Sequence, residues 1–222
     1  MKDAVTWIKM GMVNCYLIDN GGKFILVDTG MPGDAQKLET ELVKAGCVPG
    51  TLELIVITHG DIDHIGNAAY LRKKYNVQIA MRREDAYMAE NGTMLKDRKS
   101  RDFFRPLVMF FLARSKKFKD ILSKFECFKP DAGFENDASL SKYNSNAKII
   151  FIPGHTPGSI GILTENNDFI SGDTLLNRGK PSFAQIIHDE KQLLESIKII
   201  KSLGIKTVYP GHGNPFEANK LF

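Results

Sequence analysis

Short apolar runs, each ending at glycine, proline or a lone polar residue, recur along this chain. In the first third, Thr6 to Met10, Asn14 to Ile18 and Lys23 to Val27 read as strands, with turns at Gly11 and at Asn20-Gly21-Gly22, a hairpin signal. Asp34 is placed to cap a helix whose apolar residues Leu38, Leu42 and Val43 fall at helical spacing, and Gly46 ends it. Leu54-Ile55-Val56-Ile57 is a continuous apolar run of the kind buried on both faces of a sheet. A helix from about His64 to Lys74 and a strand from Val77 to Met81 follow. The order β-α-β-α-β makes the class α/β.

The second half repeats one device. Ile149 to Gly154 leads to His155, Phe169 to Gly172 leads to Asp173, and Thr207 to Gly211 leads to His212, as Leu54 to Thr58 leads to His59 before them. Strands that end in such residues bring them together at one edge of a sheet, where open α/β folds place their sites. Between the last two lies a helix with Asp189 as its cap, Gln192 as capping-box partner, and Leu193, Leu194, Ile197 and Ile200 on one face.

Composition changes this picture little. The 222 residues, 43% hydrophobic and 25% charged, fit a single domain over 1–222 and exclude intrinsic disorder. The apolar run Leu107 to Ala113 is far too short to cross a bilayer, so no membrane span is expected. The start, Met1-Lys2-Asp3-Ala4, has no apolar signal region, and Cys15, Cys47 and Cys127 are odd in number and widely spaced; a cytoplasmic location is the expectation. Charge is uneven: between Lys96 and Lys124 ten Lys/Arg face three acids, a local +7 in a chain of net +4. Within that stretch Phe104, Leu107, Phe111, Phe118, Leu122 and Phe125 recur at helical spacing, which predicts one or two amphipathic helices in a basic insertion at about 95–128. An active-site lid or a homodimer contact is expected of it rather than nucleic-acid binding, because the interleaved aromatic motifs of RNA modules are missing.

The chemistry is concentrated in Thr58-His59-Gly60-Asp61-Ile62-Asp63-His64, which puts four ligand-capable side chains within six residues. On an irregular strand-to-helix turn, His59 and Asp61 can serve one metal ion while Asp63 and His64 diverge toward a second. Against this stands a plain helix N-terminus capped by Asp61 or Asp63, a reading that His155, Asp173 and His212 at matching strand ends make much weaker. Imidazole and carboxylate suit Zn²⁺, Fe or Mn²⁺.

The pattern T-H-x-[H/D]-x-D-H, followed by His155, Asp173 and His212, resembles the metallo-β-lactamase fold superfamily of metallohydrolases. Val27-Asp28-Thr29-Gly30, Gly154 to Ser159, Ser171-Gly172-Asp173-Thr174 and Tyr209 to Gly213 carry the same resemblance over nearly the whole chain. It implies a four-layer αβ/βα sandwich of two mixed β-sheets flanked by helices. It also implies two divalent ions, with zinc the first expectation: one on His59, Asp61 and His155, the other on Asp63, His64 and His212, bridged by Asp173 and a hydroxide. That hydroxide would attack an ester, thioester, lactone or amide carbonyl of a small-molecule substrate, with Asp173 and Asp63 the catalytic carboxylates, Asp63 as a proton acceptor in transit.

The sequence departs from the superfamily at Asp61, where most of its hydrolases carry histidine. An extra carboxylate shifts preference toward Fe or Mn. It also brings the chain closer to the flavodiiron oxygen and nitric oxide reductases, so a di-iron redox protein with a separate electron donor is the alternative, and a nuclease a more distant one. Outside the ligands, Asp28 is a candidate to hold a ligand imidazole, though an Asp before Thr-Gly also suits a turn. His188, the one histidine outside the motifs, is either a substrate contact or a surface residue ahead of a helix.

Overall fold

The apolar runs become strands in two sheets. The structure, a computed structural model, describes residues 3–93, 98–100, 115–135 and 138–222. In the first half, β1 (Ala4–Met10), β2 (Val13–Asp19), β3 (Phe24–Val27), β4 (Leu52–Val56) and β5 (Gln78–Met81) alternate with helices α1 (Ala35–Lys44), α2 (Ile62–Ile65), α3 (Ala68–Tyr75) and α4 (Arg83–Asn91). Next come the short strand β6 (Lys99–Ser100), α5 (Lys116–Leu122) and β7 (Ala132–Gly133). The second half holds β8 (Lys148–Phe151), β9 (Ile160–Leu163), β10 (Asp168–Gly172), β11 (Leu175–Asn177), β12 (Pro181–Phe183), β13 (Ile186–Ile187), α6 (Glu190–Ser202), β14 (Thr207–Pro210) and β15 (Phe216–Glu217).

Strand order is β1-β2-β3-β4-β5-β7 in the first sheet and β15-β14-β10-β9-β8 in the second. Both are mixed: β1 to β3 pair antiparallel and β3 to β5 parallel, while β8 to β10 pair antiparallel and β10 runs parallel to β14.

The period of two along each strand decides the layers. Ile25, Val27, Leu54 and Val56 point toward Ile149, Ile160, Ile162 and Ile170 of the other sheet. Their neighbours Leu26, Ile55 and Ile57 point the opposite way, onto Leu38 and Leu42 of α1 and Leu71 and Tyr75 of α3. On the far side of the second sheet, Ile150, Phe169 and Val208 meet Ile200 of α6. Helix, sheet, sheet, helix is the four-layer αβ/βα sandwich that the sequence resemblance implies. Each large apolar side chain fully buried here contributes about 1.5–3 kcal/mol.

Three local features differ from expectation. Asp34 occupies the cap position of α1, yet its side chain makes no capping hydrogen bond. The single helix expected from about His64 is broken into α2 and α3 at Asn67, whose amide donates to the carbonyls of Thr29 (2.6 Å) and Met31 (2.8 Å) and so pulls the chain onto the β3–α1 loop. Of the amphipathic helices expected in the basic insertion, residues 101–114 lie outside the described residues; the described part is α5, capped by Ser115 and with no fully buried residue. Asp189 does cap α6, accepting from the Gln192 amide at 2.9 Å. No helix among the described residues is long and apolar enough to cross a membrane.

Candidate metal centre

Four strands end at one edge of the sandwich, and each is followed within four residues by a polar group: His59 after β4, His155 after β8, Asp173 after β10 and His212 after β14. All three histidines are buried, as is His64 on α2. A buried imidazole needs partners for both nitrogens. In each of the four rings Nδ1 finds its partner on the outside of the cluster. His64 Nδ1 donates to Asp28 Oδ2 (2.8 Å), His155 Nδ1 to the Ile186 carbonyl (2.6 Å), and His212 Nδ1 to the Met12 carbonyl. His59 Nδ1 lies 2.9 Å from Thr58 Oγ1; that hydroxyl donates to Asp28 Oδ2 (2.8 Å), so it accepts from the ring. In the neutral form of each ring the tautomer is thereby set with the Nε2 lone pair facing inward.

The inward nitrogens meet carboxylates. Asp173 Oδ1 is 3.4 Å from His64 Nε2, and its Oδ2 is 3.2 Å from His212 Nε2 and 3.9 Å from His155 Nε2. Asp63 Oδ2 is 3.3 Å from His212 Nε2 and 4.0 Å from His64 Nε2. Asp61 Oδ2 is 3.1 Å from His155 Nε2 and 3.6 Å from His59 Nε2. Two sets have donor atoms within 4.8 Å of one another: His59, His155 and Asp173, and Asp63, His64 and His212. Asp173, beside His155 of the first set and both histidines of the second, stands between them.

The donor set fits divalent ions on grounds independent of motif. His59 Nε2, His64 Nε2 and Asp173 Oδ1 are buried without a hydrogen-bond partner among the described residues, an arrangement that costs free energy unless another group satisfies it. The backbone also leaves room at that point: a Cβ on Gly211 would overlap Asp173 Oδ1 and lie 2.8 Å from His64 Cε1. The Gly211 turn is held by β2, because the Asn14 amide N donates to the Gly211 carbonyl (2.8 Å) while the Asn14 side chain and the Tyr16 hydroxyl both donate to the Pro210 carbonyl (2.9 and 2.6 Å).

Charge within the cluster is strongly shared. Burial pushes the Asp173 carboxylate up, but the His212 and His64 imidazoliums pull it well below the usual carboxylate range, and Asp63 is lowered in the same way. Burial opposes protonation of His64 and His212, yet Asp28, Asp173 and Asp63 raise His64 well above its ordinary value, and Asp173 and Asp63 raise His212 to about 9. His59 moves the other way, lowered by burial and by His64. Ions taking the second set therefore displace protons.

The structure places Asp28 against His64 and Thr58, in a left-handed conformation (φ 61°) that a non-glycine residue adopts only where its surroundings enforce it. His188 is exposed; its backbone amide donates to the Gly154 carbonyl at 2.7 Å. Two participants lay beyond sequence reasoning. Arg98 makes a bidentate pair with Asp61, its Nη1 2.7 Å from Oδ2. Asp85, fully buried on α4, accepts from the amides of Gly60 (2.9 Å) and Gly158 (2.8 Å) and from the Thr156 hydroxyl (2.6 Å), tying the turn after His59 to the loop after His155. Arg98 was hidden in a run of basic residues and Asp85 in an ordinary helix start; only the buried carboxylate that Arg98 pairs with and the buried amides that Asp85 serves distinguish them.

Known proteins are similar to this chain in sequence and in fold. A profile of the metallo-beta-lactamase superfamily matches residues 8–212. A probable metallo-hydrolase of Methanocaldococcus jannaschii is 29% identical over 218 residues, 94% of each chain. Hydroxyacylglutathione hydrolase GloC of Haemophilus influenzae is 27% identical over 209 residues, 90% of this chain and 85% of that one. Among solved structures, the BLEG-1 B3 metallo-beta-lactamase superposes with a TM-score of 0.73 at 22% identity, covering 98% of this chain and 95% of the other.

Proposed function

Because this chain belongs to the metallo-beta-lactamase superfamily and is a metal-dependent hydrolase, we propose that it uses two divalent cations to hydrolyse a carboxylic ester or thioester of a small molecule. One observation carries the reading: four buried imidazoles, each pinned outward through Nδ1, aim Nε2 at a cluster of carboxylates. The similarity to a hydroxyacylglutathione hydrolase favours the thioester within the wider class of esters, lactones and amides. Zinc is the proposed ion, and the three free cysteines support a reducing cytoplasm.

Cations bound here would lower the pKa of water toward neutrality and polarise the carbonyl oxygen. His59, His155 and Asp173, with Asp61 beside them, would hold one cation; Asp63, His64 and His212, with Asp173 within 3.4 Å of both imidazoles, would hold the other. The Asp173 carboxylate, between both sets, offsets the repulsion of two like charges a few Å apart. Asp28 and Thr58 keep His64 and His59 in the ligating tautomer. Asp63 has the most open carboxylate of the cluster, its side chain 29% exposed, and would take the proton released when water adds to the carbonyl and return it to the leaving thiolate or alkoxide. C–S or C–O cleavage then yields a carboxylic acid and a thiol or alcohol.

The test is hydrolysis of a panel of thioesters, oxyesters, lactones and amides by the zinc-loaded protein and by Asp173→Ala. Zinc-dependent cleavage that Asp173→Ala abolishes is expected; full esterase or thioesterase activity in Asp173→Ala would overturn the mechanism.

A further inference from the structure

Asp61 is the residue at which the two cation positions differ. Among the described residues the ion pairs of Asp63 and Asp173 are with imidazoles, whereas Asp61 is gripped by the Arg98 guanidinium through both oxygens. The same guanidinium reaches His155 itself: Nη1 lies 3.4 Å from Nε2, the nitrogen aimed at the first position. Arg98 is held there by long-range pairing. The strand it leads into, β6, pairs with β13 (Ser100 opposite Ile186), and the Ile186 carbonyl is the acceptor that orients His155. One short ribbon thus positions both the ligand and the cation beside it. The Arg98 side chain is 6% exposed, so the pair is shielded from the solvent that makes surface ion pairs weak.

We propose that Arg98 is a built-in competitor for the first cation position, occupying Asp61 and the inner face of His155 so that this position fills after the second and more weakly. A guanidinium cannot lose its proton to make room, unlike the imidazoles of the second set; it has to be displaced. Until Arg98 is displaced Asp61 is a neutralised carboxylate, and His59, His155 and Asp173, the set whose donor atoms converge without it, are all that the first position offers an ion. Without Arg98, Asp61 is an uncompensated anion 3.1 Å from His155 Nε2, which favours a cation at that point. The device allows the chain to carry a carboxylate where a neutral imidazole would leave less negative charge, and makes occupancy of the first position depend on zinc concentration. This inference rests on the metal-centre reading above.

The experiment is calorimetric titration of the metal-free full-length protein with zinc chloride, for wild type, Arg98→Met and Arg98→Lys. Wild type is expected to show two sites separated by about tenfold or more in affinity, the weaker tightening about tenfold in Arg98→Met with the tighter one unmoved. Arg98→Lys, which keeps the charge but loses the fork, is expected to give a smaller tightening and carries the test if Arg98→Met fails to fold. A structural role for Arg98 would loosen both sites together. Two equal sites in wild type, or a weaker site that stays put or loosens in both variants, would overturn the proposal; no zinc uptake by wild type would instead overturn the metal-centre reading.

Discussion

The two candidate cation positions share one way of holding imidazoles and differ in what surrounds their carboxylates. His59 and His155 on one side, and His64 and His212 on the other, are all anchored outward through Nδ1. The second side is wholly made of groups that exchange protons with a metal: Asp63, His64 and His212, with His64 and His212 raised above their ordinary values by neighbouring carboxylates. The first side carries a permanent cation, Arg98, clamped on Asp61. On the proposed reading, imidazole geometry sets where an ion would sit, and the balance of fixed charge sets how readily each position would fill.

Removing what the positions have in common has the largest effect. Asp173→Ala is expected to lower kcat/KM by about 10³-fold or more, since the Lewis-acid contribution at stake is several kcal/mol, and steady-state kinetics with the zinc-loaded protein checks it. Asp28→Asn, which weakens the acceptor that His64 Nδ1 meets directly and His59 only through Thr58, is expected to weaken the second position about 10–100-fold and the first by less. Its counterpart is Asp85→Asn, which replaces one of the two acceptor oxygens shared by the loops of His59 and His155 with an amide nitrogen that cannot accept; a loss of about tenfold confined to the first position is expected. Zinc competition with a chromophoric chelator separates the two. If either variant loosened both positions equally, the division between them would fail.

Acidity sharpens the same contrast. His212 is raised from 6.5 to about 9 in the metal-free protein, so its stabilisation is full below pH 6.5 and is lost as pH rises through about 9. Metal-free protein should therefore lose thermal stability between these values, as differential scanning calorimetry will show. Zinc-bound protein needs the imidazoles neutral, so its stability should fall toward acid pH instead. The smallest effect is expected at exposed His188: His188→Ala should change unfolding free energy by about 0.5 kcal/mol or less, measured by urea denaturation.

Much of this was legible in the residues because the signals are local. Leu54 to Ile57 reads as a strand buried on both faces and is one, since its alternate residues supply two different cores. The strand-end positions of His59, His155, Asp173 and His212 need only the period of a strand and the turn that stops it. What escaped is what depends on distant pairing. The break at Asn67 follows from carbonyls of a loop some 36 and 38 residues earlier in the chain. Arg98 is selected from its basic neighbours by the β6–β13 ribbon, and Asp85 by amides from two separate loops. The departure at Asp61 was visible; the guanidinium that answers it was not.

The most direct test of the account is zinc bound per chain, measured by inductively coupled plasma mass spectrometry after equilibrium dialysis at saturating zinc, for wild type and Asp173→Ala. The account predicts about two zinc ions per wild-type chain and fewer than one in the variant, because Asp173 serves both positions. A wild-type chain that holds no zinc at saturation, or an Asp173→Ala chain that still holds two, would contradict it.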